Sequence, residues 1–199
     1  EGGAWHSTDR GDTWRRVDDA ESGIANSDIH CIRILPAAAG HPKTHIIATV
    51  NSVYTSTEGP AGPWAAESSA DRFDGMYYTR ILTPLEGDRE VLLAAIGDGT
   101  PGTRTQIYRS QDRGRTWAPS LLHAVPNSTF WALGTHAADP DLVFAGTKYG
   151  HLFRSMDGGR SWFKDWRDFS EITAVAWTPV AAAVKAHPKS ILGAKPHHD

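Results

Sequence analysis

The residues with chemistry to offer recur at matched places along the chain. Four short apolar segments each carry one large polar or aromatic side chain near the start: His30, Tyr77, Trp131 and Thr173. Arg33 and Arg80 follow at equal spacing from His30 and Tyr77. Asp28, Asp74 and Glu171 precede their segments, and Lys148 and Tyr149 sit in a later loop. Two guanidinium groups entering one cavity suit a bidentate carboxylate ligand. Aromatic faces beside carboxylates suit sugar binding and glycoside chemistry. The same residues also suit ion pairing and gap filling between packed sheets, and both readings stand at this point.

Several chemistries are excluded or left without support. The single cysteine, Cys31, allows neither an intrachain disulfide nor a cysteine-rich zinc site. Ten His include no H-x-H or H-E-x-x-H spacing, so no metal site is expected. Gly97-Asp98-Gly99-Thr100-Pro101-Gly102 lacks the Lys and helix of a phosphate loop, and no G-x-S-x-G elbow occurs. No cofactor is expected. With 20 Lys plus Arg against 23 Asp plus Glu, the net charge of -3 gives no support to nucleic-acid binding. No window approaches a membrane span.

The elements that must position these groups come from a repeat. Ser7-Thr8-Asp9-Arg10-Gly11-Asp12-Thr13-Trp14 matches residues 110–117 and 155–162, giving S-x-D-x-G-x-[ST]-W. Its fixed residues are Ser7, Asp9, Gly11 and Trp14, then Ser110, Asp112, Gly114 and Trp117, then Ser155, Asp157, Gly159 and Trp162. A degenerate copy at 56–64 has Glu58 for the Asp and one extra residue before Trp64. The Asp accepts backbone hydrogen bonds and closes a hairpin turn. The Gly supplies a positive φ, and the Trp opens the next strand with a large apolar face. All three intact Trp are therefore expected to be buried beneath their turns.

This pattern resembles the Asp-box, or BNR repeat, of sialidase-like and sortilin-like β-propellers. The resemblance spans roughly residues 4–178. It implies an all-β fold, a β-propeller of four-stranded antiparallel blades, about four of them in this chain. The boxes at 7–14, 56–64, 110–117 and 155–162 would lie at outer turns between third and fourth strands, in structural roles.

First strands are expected at 29–35, 76–82, 130–136 and 172–177, second strands at 46–50, 91–96 and 142–146. Three whole blades result, at about 28–70, 75–124 and 128–170. The N-terminal strand pair at 4–17 either completes the last blade in a small closed ring or belongs to a larger ring, of which this chain is a fragment. Residues 179–199 read as an extension with one further strand and a disordered tail.

The resemblance also places first-strand residues around a central channel. It implies a candidate ligand set of His30, Arg33, Asp74, Tyr77, Arg80, Trp131, Lys148 and Tyr149 at the channel mouth. The sialidase Arg-Ile-Pro motif is absent, and no catalytic residue carries over. The expected function is a non-catalytic binding or assembly scaffold that engages a protein, peptide or glycan. The alternative is an exo-acting, sialidase-like glycoside hydrolase. Self-association is expected if the ring is incomplete. The compartment stays open: secreted or periplasmic if a leader has been removed, otherwise cytoplasmic.

Overall fold

The computed structural model describes residues 2–18 and 22–180; the expected extension and tail lie outside these beyond Val180. The chain is almost wholly β. Strands β1 (Trp5–His6) and β2 (Arg15–Arg16) form a two-stranded sheet. The first blade is β3 (Ile29–Leu35), β4 (Thr44–Thr49), β5 (Ser52–Ser56) and β6 (Ala65–Ser68). A four-residue helix, α1 (Ser69–Arg72), follows, its first turn capped by the Ser68 hydroxyl accepting from Asp71 N–H. The second blade is β7 (Tyr78–Leu85), β8 (Asp88–Gly97), β9 (Thr105–Ser110) and β10 (Ala118–Pro119). The third is β12 (Phe130–Gly134), β13 (Val143–Thr147), β14 (His151–Ser155) and β15 (Ser161–Asp168), with β11 (Leu121–Leu122) on its outer edge.

Antiparallel order within each blade follows the chain, as short turns dictate. The core lies between blades. Val91–Ile96 on β8 is an unbroken apolar run and is fully buried, because one face meets the first blade and the other the third. Leu92 packs with Leu35, Ile46 and Val53. Leu93 and Ala95 pack with Phe130, Val143 and Phe153.

All three intact octapeptides fold into one hydrogen-bond network between third and fourth strands. In each, the Ser hydroxyl donates to the Asp carboxylate at 2.7–2.8 Å and accepts from the Gly N–H. The Thr or Ser before the Trp donates both its N–H and its hydroxyl to the same Asp. The Trp indole N–H donates to the Gly carbonyl at 2.9–3.1 Å. That Gly has a φ of +101, +89 and +84 in the three copies, which an L side chain resists. In the degenerate copy Glu58 is exposed, and the buried Ser56 hydroxyl and Trp64 indole N–H find no partner among the described residues.

Two expectations are corrected. Trp14 is 58% exposed, whereas Trp162 is fully buried and Trp117 is half-buried. The reason is tertiary: each Trp is covered by the blade before it. Residues of the second blade enclose Trp162, those of the first lie against Trp117, and Ala4 and Val17 beside β1–β2 cover Trp64. Nothing among the described residues covers Trp14 in this way. Second, residues 172–177 form no strand. They run extended over the third blade, with Ile172 against Gly146 and Val175 against Gly134. Of the two alternatives for the N-terminal pair, among the described residues β1 and β2 pair with each other and not with the sheet of the last blade. The sequence reading also missed β11, which pairs in parallel with the start of β15 and brings Leu122 and Ala124 onto the core around Trp162.

The octapeptide carboxylates set an acid limit. Hydrogen bonds, chiefly from Thr13, hold Asp9 down to about 2 from an ordinary 3.8. Burial pushes Asp112 and Asp157 up, but bonds from Thr116 and from Ser161 outweigh it, so both also lie below the ordinary value. A carboxylate depressed on folding contributes stability above its unfolded pKa and loses it as pH falls through the folded one. The expected result is a melting temperature that drops as pH falls from about 4 toward about 2, more steeply for wild type than for Asp157→Asn. Parallel curves for the two proteins would show that this network does not titrate with unfolding.

Candidate functional site

The ladder registers reveal one feature common to the three blades. Pairing between first and second strands shifts by one residue between Ile29 and Cys31, between Thr79 and Ile81, and between Phe130 and Ala132. The extra residue at each β-bulge is His30, Arg80 and Trp131. A bulge bends its strand and re-aims the side chain it carries. These three converge on one cavity of about 310 Å³, also lined by Arg33, Cys31 and Thr173.

This register corrects the equivalence expected from spacing. Arg80, not Tyr77, stands level with His30 and Trp131, and Arg33 stands level with Thr83. Tyr77 precedes β7, is 44% exposed, and lies with its hydroxyl near Gly99. Asp74 is occupied elsewhere, accepting from the Tyr108 hydroxyl at 2.8 Å. Burial and then that bond push the Tyr108 pKa up. Tyr149 is exposed, its backbone held by Asn127 and Ser128. The structure therefore gathers His30, Arg33, Arg80 and Trp131, with Lys148 beside them, and leaves Asp74, Tyr77 and Tyr149 out of the cavity lining.

Within the gathered group, the Arg80 guanidinium carbon lies 3.9 Å from the Trp131 ring centre and the Lys148 ammonium 4.4 Å. Both distances suit cation–π attraction. Lys148 also pairs with Glu171 at 2.5 Å. Tyr78, which the sequence reading passed over for its neighbour, is buried between the His30 ring at 5.0 Å and the Trp131 ring at 6.4 Å. His30 Nδ1 lies 2.7 Å from the Thr79 carbonyl oxygen, which assigns that nitrogen the proton, and Nε2 faces Asp28 at 3.6 Å.

Of the carboxylates here, Glu171 is ion-paired with Lys148, and Asp28 lies 3.6 Å from His30 Nε2. Arg33 and Arg80 have no carboxylate partner among the described residues. Burial pushes the Cys31 thiol pKa up, which disfavours the thiolate, and its sulfur bridges to the Leu82 backbone of the next blade. What the arrangement offers is a concave, cationic, aromatic-floored surface built on rigid strands.

No protein-family model matches the sequence, and no curated protein matches it by sequence. Solved structures do match. The GH74 enzyme from Niastella koreensis is 20% identical with a TM-score of 0.62, over 81% of this chain and 26% of its own. The GH74 xyloglucanase from Xanthomonas campestris is 19% identical with a TM-score of 0.58, over 82% of this chain and 27% of its own. YCF48 from Cyanidioschyzon merolae is 15% identical with a TM-score of 0.52, over 81% of this chain and 52% of its own. The chain spans about a quarter of the length of these GH74 structures. The likenesses establish the fold as that of a β-propeller built from four-stranded antiparallel blades.

Proposed function

We propose that the chain is an Asp-box (BNR-repeat) propeller acting as a non-catalytic binding or assembly module. Its ligand, a peptide or an acidic glycan, presents an anionic group to the bulge cavity. One observation carries the reading. Arg80 is fixed over Trp131 and Arg33 lies in the same cavity, and neither guanidinium has a carboxylate partner among the described residues. Arg33 donates only to the Ile32 carbonyl, and guanidinium groups without a carboxylate partner, held on a rigid surface, favour carboxylate recognition.

The test is a screen of peptides and glycans, followed by single substitutions measured beside folding stability. Arg80→Ala is expected to weaken binding by about 10–100-fold, the worth of a charge-assisted hydrogen bond, with little change in melting temperature. Tyr77→Ala is expected to leave binding unchanged. Full affinity in both Arg80→Ala and Arg33→Ala would move the site to another surface.

A glycoside-hydrolase reading is favoured by one observation, the two carboxylates Asp28 and Glu171 flanking the residues that line the Trp131 cavity. It predicts sugar release from xyloglucan or fluorogenic glycosides that Glu171→Gln abolishes. Release that persists in that variant, or no release from the wild type, leaves the binding module.

A further inference from the structure

The fourth strand of the second blade stops early. In the first and third blades the fourth strand reaches the first residue of the third, where Ser68 pairs with Ser52 and Asp168 with His151. In the second blade β10 faces Arg109 and Tyr108 of β9, and Ser120 N–H then donates to the Ile107 carbonyl at 2.8 Å. The chain next crosses to the third blade, where Leu122 stands opposite Trp162. Had it kept the register of β10, Leu122 would face Thr105. The start of β9 is thus left without a fourth strand.

Backbone alternation identifies the groups left open. Successive residues of an antiparallel ladder turn their N–H and C=O to opposite neighbours. The Arg104 carbonyl accepts from Asp98 N–H, on the β8 side, and the Ile107 carbonyl faces β10. Thr105 therefore turns the same way as Ile107, and no backbone group among the described residues pairs with it there. The Ile107 N–H is covered by the Gln106 side chain, whose Oε1 accepts it at 2.8 Å. An open sheet edge is a template for a further strand. Gln106 shields one donor of this edge and leaves Thr105 uncovered.

The place of the missing strand is a cavity of about 450 Å³ that shares no lining residue with the bulge cavity. Arg104, Thr105 and Gln106 form one wall, and Pro119 lies where β10 stops. Three extended residues cover ~10 Å of such a wall. Val125, Pro126 and Met76 add apolar surface, Met76 on the face of β9 that Tyr108 shares with Gln106 and Arg104. The charges there are unequally engaged. Asp74 already accepts from the Tyr108 hydroxyl at 2.8 Å. Arg104 is exposed, donates to the Asp74 carbonyl at 3.4 Å, and has no carboxylate partner among the described residues.

We propose that this edge takes an extended segment of a partner polypeptide as a substitute fourth strand, antiparallel to β9. Its central residue exchanges both backbone hydrogen bonds with Thr105. The residue after it stands opposite Arg104 and is acidic, and the residue before it stands opposite Gln106 and lays an apolar side chain toward Met76.

The probe is acetyl-Val-Thr-Glu-amide, titrated into the isotope-labelled full chain and followed by amide chemical shifts. Saturable binding at millimolar peptide is expected, with the largest shifts at Thr105 and Gln106. Methylating the nitrogen of the peptide Thr removes its donor to Thr105, and binding is expected to weaken about tenfold. Replacing the peptide Glu with Lys is expected to weaken it as much in wild type and not at all in Arg104→Gln. Val125→Trp, a change at an exposed side chain, fills the cavity and is expected to abolish binding with the melting temperature unchanged. Arg80→Ala, in the bulge cavity, is expected to leave it intact. No saturable binding by wild type, equal binding of the methylated peptide, or full affinity in Val125→Trp overturns the proposal. Loss in Arg80→Ala would assign the peptide to the bulge cavity and overturn it too. Self-association that Val125→Trp abolishes would give the edge to a second copy of this chain, again overturning it.

Discussion

Trp162→Ala is expected to cost about 3–5 kcal/mol, the range for emptying a large buried aromatic site. A domain of this size has ~5–15 kcal/mol of stability in all, so one substitution removes a large share of it. The physical basis is that Trp162 is fully buried in the cluster joining the second and third blades, against Val91, Leu93 and Ile107 among others. The chain cannot refill this volume, because β11 already lies along the outer edge of the same sheet. Trp117→Ala, half-buried beside a cavity that relaxation can use, is expected to cost about 2–3 kcal/mol. Trp14→Ala is expected to cost under about 0.5 kcal/mol, as exposed positions do. Urea midpoints of the three variants check the order. Equal losses would show that the local turn, rather than the preceding blade, gives these Trp residues their worth.

That graded series marks where the sequence stops being informative. The octapeptides, their turns and the strands on either side follow from local chemistry: a short acceptor, a Gly with positive φ, and alternating apolar residues. β3 spans Ile29–Leu35 as the pattern indicates, and β5, β9 and β14 each end at the Ser of their box, as third strands before such a turn must. Burial of Trp14 is not local. It depends on a neighbouring sheet, and the motif is identical whether or not that neighbour is present. The same holds for residues 172–177, whose apolar alternation matches a first strand. A strand needs a partner for its backbone groups, and no second strand follows among the described residues.

The bulge cavity was half legible for a related reason. Equal spacing set Tyr77 level with His30, because Arg80 then matched Arg33. Register in a sheet is fixed by which residues pair, and a one-residue shift moves every side chain to the other face. The bulges at His30, Arg80 and Trp131 insert one residue each, and no residue type announces a bulge of this kind in the sequence. Three different side chains at one bulge position now have a structural meaning. The backbone feature is kept in every blade, whereas the group it aims into the cavity changes from imidazole to guanidinium to indole.

Asp157→Ala is expected to cost about 2–3 kcal/mol, more than the same change at either other octapeptide. Its carboxylate accepts from the Ser155 hydroxyl, the Arg160 and Ser161 N–H groups and the Ser161 hydroxyl, at 2.5–2.9 Å. Removal leaves those donors without an acceptor in a turn whose Gly158 and Gly159 are buried against Leu85 and Leu93. Water reaches the Ser155 and Ser161 side of this half-buried turn less well than at the other two octapeptides, so more of the desolvation penalty is felt. Asp112 accepts a similar set, but its Thr116 side is exposed, and about 1–2 kcal/mol is expected. At Asp9 the turn is open to solvent, water takes over the freed donors, and the smallest loss of the three is expected. Glu58→Ala is expected to cost nothing measurable, since Glu58 is exposed and the buried Ser56 hydroxyl has no partner to lose. Chemical denaturation of the four variants measures the order. A loss at Glu58 equal to that at Asp157 would mean that charge at the turn, and not the hydrogen-bond network, stabilises these blades.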